Sequence, residues 1–93
     1  MEKIRTKIGE VFEISLTGSP STGYRWHLQF DALYIALEDR RFMSVGKKTG
    51  SGGVETFKFR ALKVGKTEIV MILKRSWEKG VQEEKTFEVS IKK

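Results

Sequence analysis

Apolar and polar residues alternate along most of this chain with a period of two. Phe12, Ile14 and Leu16 alternate with Glu13, Ser15 and Thr17, and Tyr24, Trp26, Leu28 and Phe30 with Arg25, His27 and Gln29. Phe57, Phe59 and Ala61 are separated by Lys58 and Arg60, and Phe87, Val89 and Ile91 by Glu88 and Ser90. Successive side chains of a strand point to opposite faces, so this pattern predicts strands with one face packed and one face wet. The segment Thr67 to Lys74 differs, being apolar without interruption from Ile69 to Leu73. That run suits a central strand covered on both sides. Ile4 to Lys7 reads as a weaker edge strand. Tyr34 to Val45 has a blurred period and a charged middle, and is either a strand with a bulge or a short helical turn followed by a strand. No long stretch repeats every 3.6 residues, so little helix is expected.

About seven strands in 93 residues predict a single all-β domain over residues 1–93, an immunoglobulin-like β-sandwich with three long loops at one end. The pattern alone is also compatible with a small barrel. Loop parity supplies the polarity. The connections around Gly9, Asp31-Ala32 and Lys63 to Lys66 are short, whereas those at 18–23, 46–53 and 75–80 are long. Where successive strands run antiparallel, alternate connections share an end, so the three long loops should cluster at one pole. Functional residues concentrate on loops carried by a rigid scaffold.

Composition narrows the chemistry. A chain this short buries roughly 60–70% of its unfolded surface, and its six Phe, two Tyr and two Trp must supply much of one core. There is no cysteine, which excludes disulfides, thiolate nucleophiles and Cys-ligated metals. The first residues lack the apolar core of a signal peptide, which reads as cytoplasmic unless a leader was removed. No apolar run approaches a bilayer span. The net charge of +6 comes from basic residues interleaved with acids, as in Glu38-Asp39-Arg40-Arg41, rather than gathered in a patch. A soluble lysine-rich surface explains it better than a nucleic-acid site.

The loops carry the candidate binding residues. The first reads Ser19-Pro20-Ser21-Thr22-Gly23. Pro20 fixes its own φ and restrains Ser19, and Gly23 permits a φ that other residues avoid, which would display Ser21 and Thr22 on a stiffened arch. By itself this is an ordinary turn. The second loop ends Gly50-Ser51-Gly52-Gly53 and by itself reads as a flexible linker. It lacks phosphate-loop spacing. The Gly65-Lys66-Thr67 tail of such a motif has Arg60 where its first glycine belongs. The third loop contains Arg75-Ser76-Trp77, with Trp77 either folded onto the rim or held out as an anchor. Arg and Trp are enriched at interface hot spots.

Together, Ser19-Pro20-Ser21-Thr22-Gly23-Tyr24, then Gly50-Ser51-Gly52-Gly53, then Arg75-Ser76-Trp77 resemble the chagasin family of cysteine-peptidase inhibitors. That family typically shows Asn-Pro-Thr-Thr-Gly-Tyr or Phe, a Gly-x-Gly-Gly loop and Arg-Pro-Trp, in this order and across nearly the whole chain. Here Ser19 stands for the Asn, Ser21 for the first Thr and Ser76 for the Pro. The resemblance implies a reversible, tight-binding inhibitor that occludes the active-site cleft of a papain-like cysteine protease, cathepsin-L-like or similar. It implies that the Pro20–Gly23 arch enters the catalytic centre with Ser21 and Thr22 nearest the catalytic thiol. Gly50 to Gly53 would then lie along the non-primed side, with Arg75 and Trp77 on the primed side. It implies a monomer needing no cofactor or metal, with neither nucleic acid nor membrane as partner.

An enzyme is the weaker alternative. His27 is the one histidine, it falls on the polar face of its strand where solvation is expected, and no nucleophile elbow or zinc motif occurs. Glu83 and Glu84 alternate across a strand and would not face one substrate. A non-inhibitory immunoglobulin-like module for a protein, carbohydrate or nucleic acid ligand is the remaining alternative, although the aromatic residues that could stack on bases read as core.

Overall fold

The computed structural model describes residues 2–18, 23–44, 52–75, 77 and 79–93. Seven strands follow one another, β1 (Glu2–Lys7), β2 (Val11–Gly18), β3 (Tyr24–Phe30), β4 (Ile35–Ser44), β5 (Gly53–Ala61), β6 (Gly65–Arg75) and β7 (Glu83–Lys92). They form a four-stranded sheet ordered β1-β7-β6-β3 and a three-stranded sheet ordered β2-β5-β4. Every pairing is antiparallel except that of β1 with β7, which is parallel. This is the two-sheet sandwich that the alternation predicts.

The inward positions make one core. Ile14 and Leu16 of β2, Ile35 of β4 and Phe57, Phe59 and Ala61 of β5 meet Trp26 of β3, Ile69 and Met71 of β6 and Phe87, Val89 and Ile91 of β7. Phe59 lies at its centre, with Phe12 stacked on it at 5.5 Å between ring centres and Phe30 edge-on at 5.7 Å. Offset and edge-to-face rings of this kind add to the gain from apolar burial. Among the described residues no polar or charged residue is fully buried, so the core owes nothing to internal charge.

The uncertain segment resolves as a bulged strand. Ile35 pairs with Ala61 and Leu37 with Phe59, and the register then shifts so that Asp39 faces Lys58 and Arg40 faces Phe57. An extra residue in one strand turns the following side chains over. Arg40 is thereby brought to the inner face, with its guanidinium 4.9 Å from the Phe57 ring centre. Its Nε donates to Glu55 at 2.7 Å and its Nη2 donates to the Trp26 carbonyl at 2.8 Å. The charge-assisted pair fills the open edge between β4 and β3, where a core side chain would be half wet.

The apolar run in β6 departs from expectation. The strand is central in its sheet, but only Ile69 and Met71 are buried, while Val70 and Ile72 on the other face are half-buried. A two-layer sandwich has no third layer to cover them. Their shelter comes from cross-strand neighbours, Gln29 and Thr86 beside Val70, and His27 and Glu84 beside Ile72. His27 also differs from the solvated histidine expected: it is half-buried, and its Nε2 is enclosed without a hydrogen-bond partner among the described residues.

Truncating Phe59 to Ala should cost about 3–5 kcal/mol, as for other large aromatics removed from cores, read as a lower urea midpoint with an unchanged slope. A second expectation concerns acid. Glu38 is held below the ordinary carboxylate range by its hydrogen bond to Arg60, and Asp39 by its bond to Arg41 and then by the Arg40 amide. A carboxylate whose folded pKa is depressed contributes stability above its unfolded pKa and loses it as pH falls through the folded value. Stability should therefore decline below about pH 4. Replacing both acids by their amides should flatten that limb in urea titrations across acidic pH.

Candidate functional site

Strand register decides where the loops emerge. Gly18, the last residue of β2, faces Gly53, the first of β5, which in turn faces Ser44, the last of β4. In the other sheet Tyr24, the first residue of β3, faces Arg75, the last of β6, and Glu83 opens β7 opposite Leu73. The β2–β3, β4–β5 and β6–β7 connections therefore leave from the same pole. The opposite pole is closed by short turns, with the Gly9 amide donating to Ala61 at 2.8 Å and the Leu62 amide to Tyr34 at 2.8 Å.

Of the candidate binding residues, Gly23, Gly52, Gly53, Arg75 and Trp77 are described, whereas Ser19, Pro20, Ser21, Thr22, Gly50, Ser51 and Ser76 lie outside the described residues. Three loop limits move. Gly53 is a buried strand residue rather than a loop residue, and Gly18 and Arg75 likewise belong to strands. The hydrogen-bonded ladder runs to the rim of the sandwich and takes these three residues out of the loops.

Gly23 and Trp77 meet. Gly23 has φ of +87°, and a Cβ there would lie 2.5 Å from Cη2 of Trp77. The indole thus rests on the glycine backbone and joins the third loop to the end of the first. Even so, Trp77 is 71% exposed. Its ring edge is docked on the rim while most of its surface faces solvent. Arg75 adds to the platform, its guanidinium carbon 4.3 Å from the Tyr24 ring centre and 5.9 Å from that of Trp77. A cation stacked on aromatic rings is attracted by their negative faces.

The first and second loops are joined at the other side of the pole. Gly18 lies beneath Trp26, with a Cβ there falling 3.7 Å from Nε1, and the Trp26 indole donates to the Thr17 carbonyl at 3.1 Å. Beside it Gly53 lies beneath the Phe42 ring, and an added Cβ would meet both that ring and the Met43 carbonyl oxygen. Phe42 and Met43 are 43% and 72% exposed at the base of the second loop. The resulting order across the pole is third loop, first loop, second loop.

Sequence reasoning missed Tyr24, Phe42 and Met43. Tyr24 was legible as the residue that opens its strand directly after the loop, opposite Arg75. Phe42 was not, because the bulge reverses the alternation ahead of it. Among the described residues the pole exposes Trp77, Phe42 and Met43. A groove of about 300 Å³ runs along the outer face of β2-β5-β4 up to the base of the second loop, lined by Glu13, Asp39, Arg41, Phe42, Met43, Val54, Thr56 and Lys58.

Comparison with known proteins agrees with this geometry. The model of the Chagasin family peptidase inhibitor I42 matches residues 5–91. Amoebiasin-2 of Entamoeba histolytica is 28% identical over 80 residues, covering 83% of this chain and 65% of that protein, so the chain matches just under two thirds of its length. Chagasin of Trypanosoma cruzi is 25% identical over 91 residues, covering 91% of this chain and 83% of that protein. The crystal structure of the cysteine protease inhibitor EhICP2 from Entamoeba histolytica superposes with a TM-score of 0.88 at 25% identity, over 98% of this chain and 86% of that one. The solution structure of Amebosin superposes with a TM-score of 0.71 at 27% identity, over 97% and 88%.

The close approaches at the pole carry a stability test. Gly53→Ala should cost about 1–3 kcal/mol through overpacking, whereas Gly80→Ala, where an added Cβ meets nothing within 4 Å, should be near neutral in the same denaturation assay.

Proposed function

The chain belongs to the chagasin family of peptidase inhibitors, and from that premise we propose that it is a reversible, tight-binding inhibitor of papain-like cysteine proteases that occludes the active-site cleft with its three loops. The observation that carries the reading is the convergence at one pole of the strand ends that bear these loops, with Trp77 seated on Gly23 and Gly18 facing Gly53. The target is a cathepsin-L-like or similar enzyme, and the inhibitor acts as a monomer.

In this reading the arch of residues 19–23 enters the catalytic centre, with Ser21 and Thr22 nearest the thiol. Occlusion needs no reactive group on the inhibitor, only a wedge whose backbone avoids an attackable geometry. A wedge ordered before docking loses little entropy on binding, and Pro20 together with the Trp77–Gly23 contact restrains this one at both ends. Gly50 to Gly53 lie along the non-primed side, where backbone without side chains can approach the cleft wall and add strand-like hydrogen bonds. Arg75 and Trp77 cover the primed side. Ser76, in place of the family's proline, leaves that loop with a higher ordering cost, which the stacking of Arg75 on Tyr24 offsets in part.

Titrating papain and a cathepsin-L-like enzyme with the purified chain should give stoichiometric, reversible loss of activity; full activity at a large molar excess would overturn the proposal. Trp77→Ala should weaken inhibition by about 1–3 kcal/mol, roughly fivefold to 150-fold, as for a hot-spot aromatic. Inserting residues between Ser21 and Thr22 should abolish inhibition while circular dichroism and the thermal midpoint stay near those of the parent.

A further inference from the structure

Although the sequence points to no membrane partner, we infer that the pole opposite the loops is an attachment surface for an anionic lipid bilayer. Three turns meet there, residues 8–10, 31–34 and 62–64, tied together by the Ile8 amide on Lys92, the Gly9 amide on Ala61 and the Leu62 amide on Tyr34. Turns usually carry small polar residues. These instead expose aliphatic side chains: Ile8 at 45%, Leu33 at 71%, Leu62 at 42% and Val64 at 47%. Nothing in the fold accounts for them, because the core is complete beneath them.

Lysines ring the same surface. Lys7 and Lys92 are register partners at the ends of β1 and β7, Lys93 follows, and Lys63 and Lys66 flank the β5–β6 turn. Lys63 holds its ammonium 5.1 Å from the Tyr34 ring centre, at the rim of the patch. The acids nearby are Glu10 and Asp31, and the Asp31 carboxylate is engaged by the Leu33 amide at 2.9 Å. Glu38 is neutralised by Arg60, which also donates to the Gly9 carbonyl. The pole is thus apolar at its tips and cationic around them.

That combination selects the occupant. A second copy of the chain would bring two lysine rings together, and like charges oppose that contact. A bilayer suits both parts at once. Aliphatic tips enter the boundary between headgroups and acyl chains, and lysine stems extend along the protein so that their ammonium groups reach headgroup phosphates. Polybasic segments bind anionic leaflets in proportion to the lysines near the surface. The long dimension of the molecule, 45 Å, matches strands of ten or eleven residues spanning ~35 Å plus their turns. Attachment by the turns would therefore hold the loop pole away from the membrane, facing solvent. The inference stands independently of protease inhibition.

Co-sedimentation of the full chain with phosphatidylcholine vesicles, with and without phosphatidylserine, tests it. Binding is expected to the anionic vesicles alone, and Lys63→Glu combined with Lys66→Glu should weaken it about tenfold or more. Leu33→Ser combined with Leu62→Ser should weaken it comparably, with an unchanged thermal midpoint because both side chains are exposed. Leu33→Trp should give a blue-shifted emission on the anionic vesicles, whereas the parent protein, whose Trp26 and Trp77 lie toward the loop pole, should show no shift. Absence of binding would overturn the proposal. So would equal binding to both vesicle types, or anionic binding that ignores the leucine substitutions and leaves Leu33→Trp unshifted. Soluble polyglutamate that binds as well as the vesicles, with no dependence on Leu33, would assign the pole to an acidic macromolecule instead.

Discussion

The two sheets are locked at the loop-bearing end by Trp26. Its side chain belongs to the four-stranded sheet, yet its indole donates to Thr17 in the three-stranded one and lies over Gly18. Its own carbonyl accepts Arg40, so β3 is bound to both β2 and β4 through a single residue. The ring is 3% exposed and fills the core at the point where the sheets would otherwise splay. A hydrogen bond of this kind contributes only about 1 kcal/mol net. The larger effect comes from burying the indole between the sheets. Every loop position at this end depends on that closure, since the first loop runs between the two residues, Gly18 and Gly23, that the rings of Trp26 and Trp77 cover.

Much of the architecture was legible because a sandwich strand has one dry face. Ile14, Leu16, Phe57, Phe59, Phe87, Val89 and Ile91 all occupy the core positions that alternation assigns them. Loop parity correctly placed three connections at one end, since the parallel β1–β7 pair does not disturb the alternation of the strands that follow. The run from Ile69 to Leu73 misled, because continuous hydrophobicity records the absence of charge and not the presence of a covering layer. The β4 bulge could be suspected but not located. Its consequence, an arginine facing inward over Phe57, depends on the count of residues between Leu37 and Arg40 in space. Nor could sequence reveal that Trp77 rests on Gly23, a contact between residues far apart in the chain.

The molecule divides its chemistry by position. The middle is a core assembled from apolar side chains. Charged pairs such as Arg41 with Asp39 and Arg60 with Glu38 sit on exposed strand faces, where screening by water keeps what each adds to stability small. On the readings proposed above, binding is left to the ends, one with glycines and aromatic rings, the other with aliphatic tips among lysines. An inhibitor that relies on shape has no need of a perturbed nucleophile, and the absence of cysteine from the chain is in keeping with that economy.

Two of the three loops are bounded by glycines that a ring covers, the first by Gly18 under Trp26 and Gly23 under Trp77, the second by Gly53 under Phe42. Such seats separate the tolerance of the loops from that of the body beneath them. Residues between the seats can vary in identity and number without disturbing the interior, whereas a methyl group at Gly23 or Gly53 would press on Trp77 or on Phe42 and the Met43 carbonyl and tilt the loop it bounds. The scaffold thus resembles a socket keyed at two of its three openings. Retargeting it to a different cleft would call for exchanging the inserts and leaving the sockets alone.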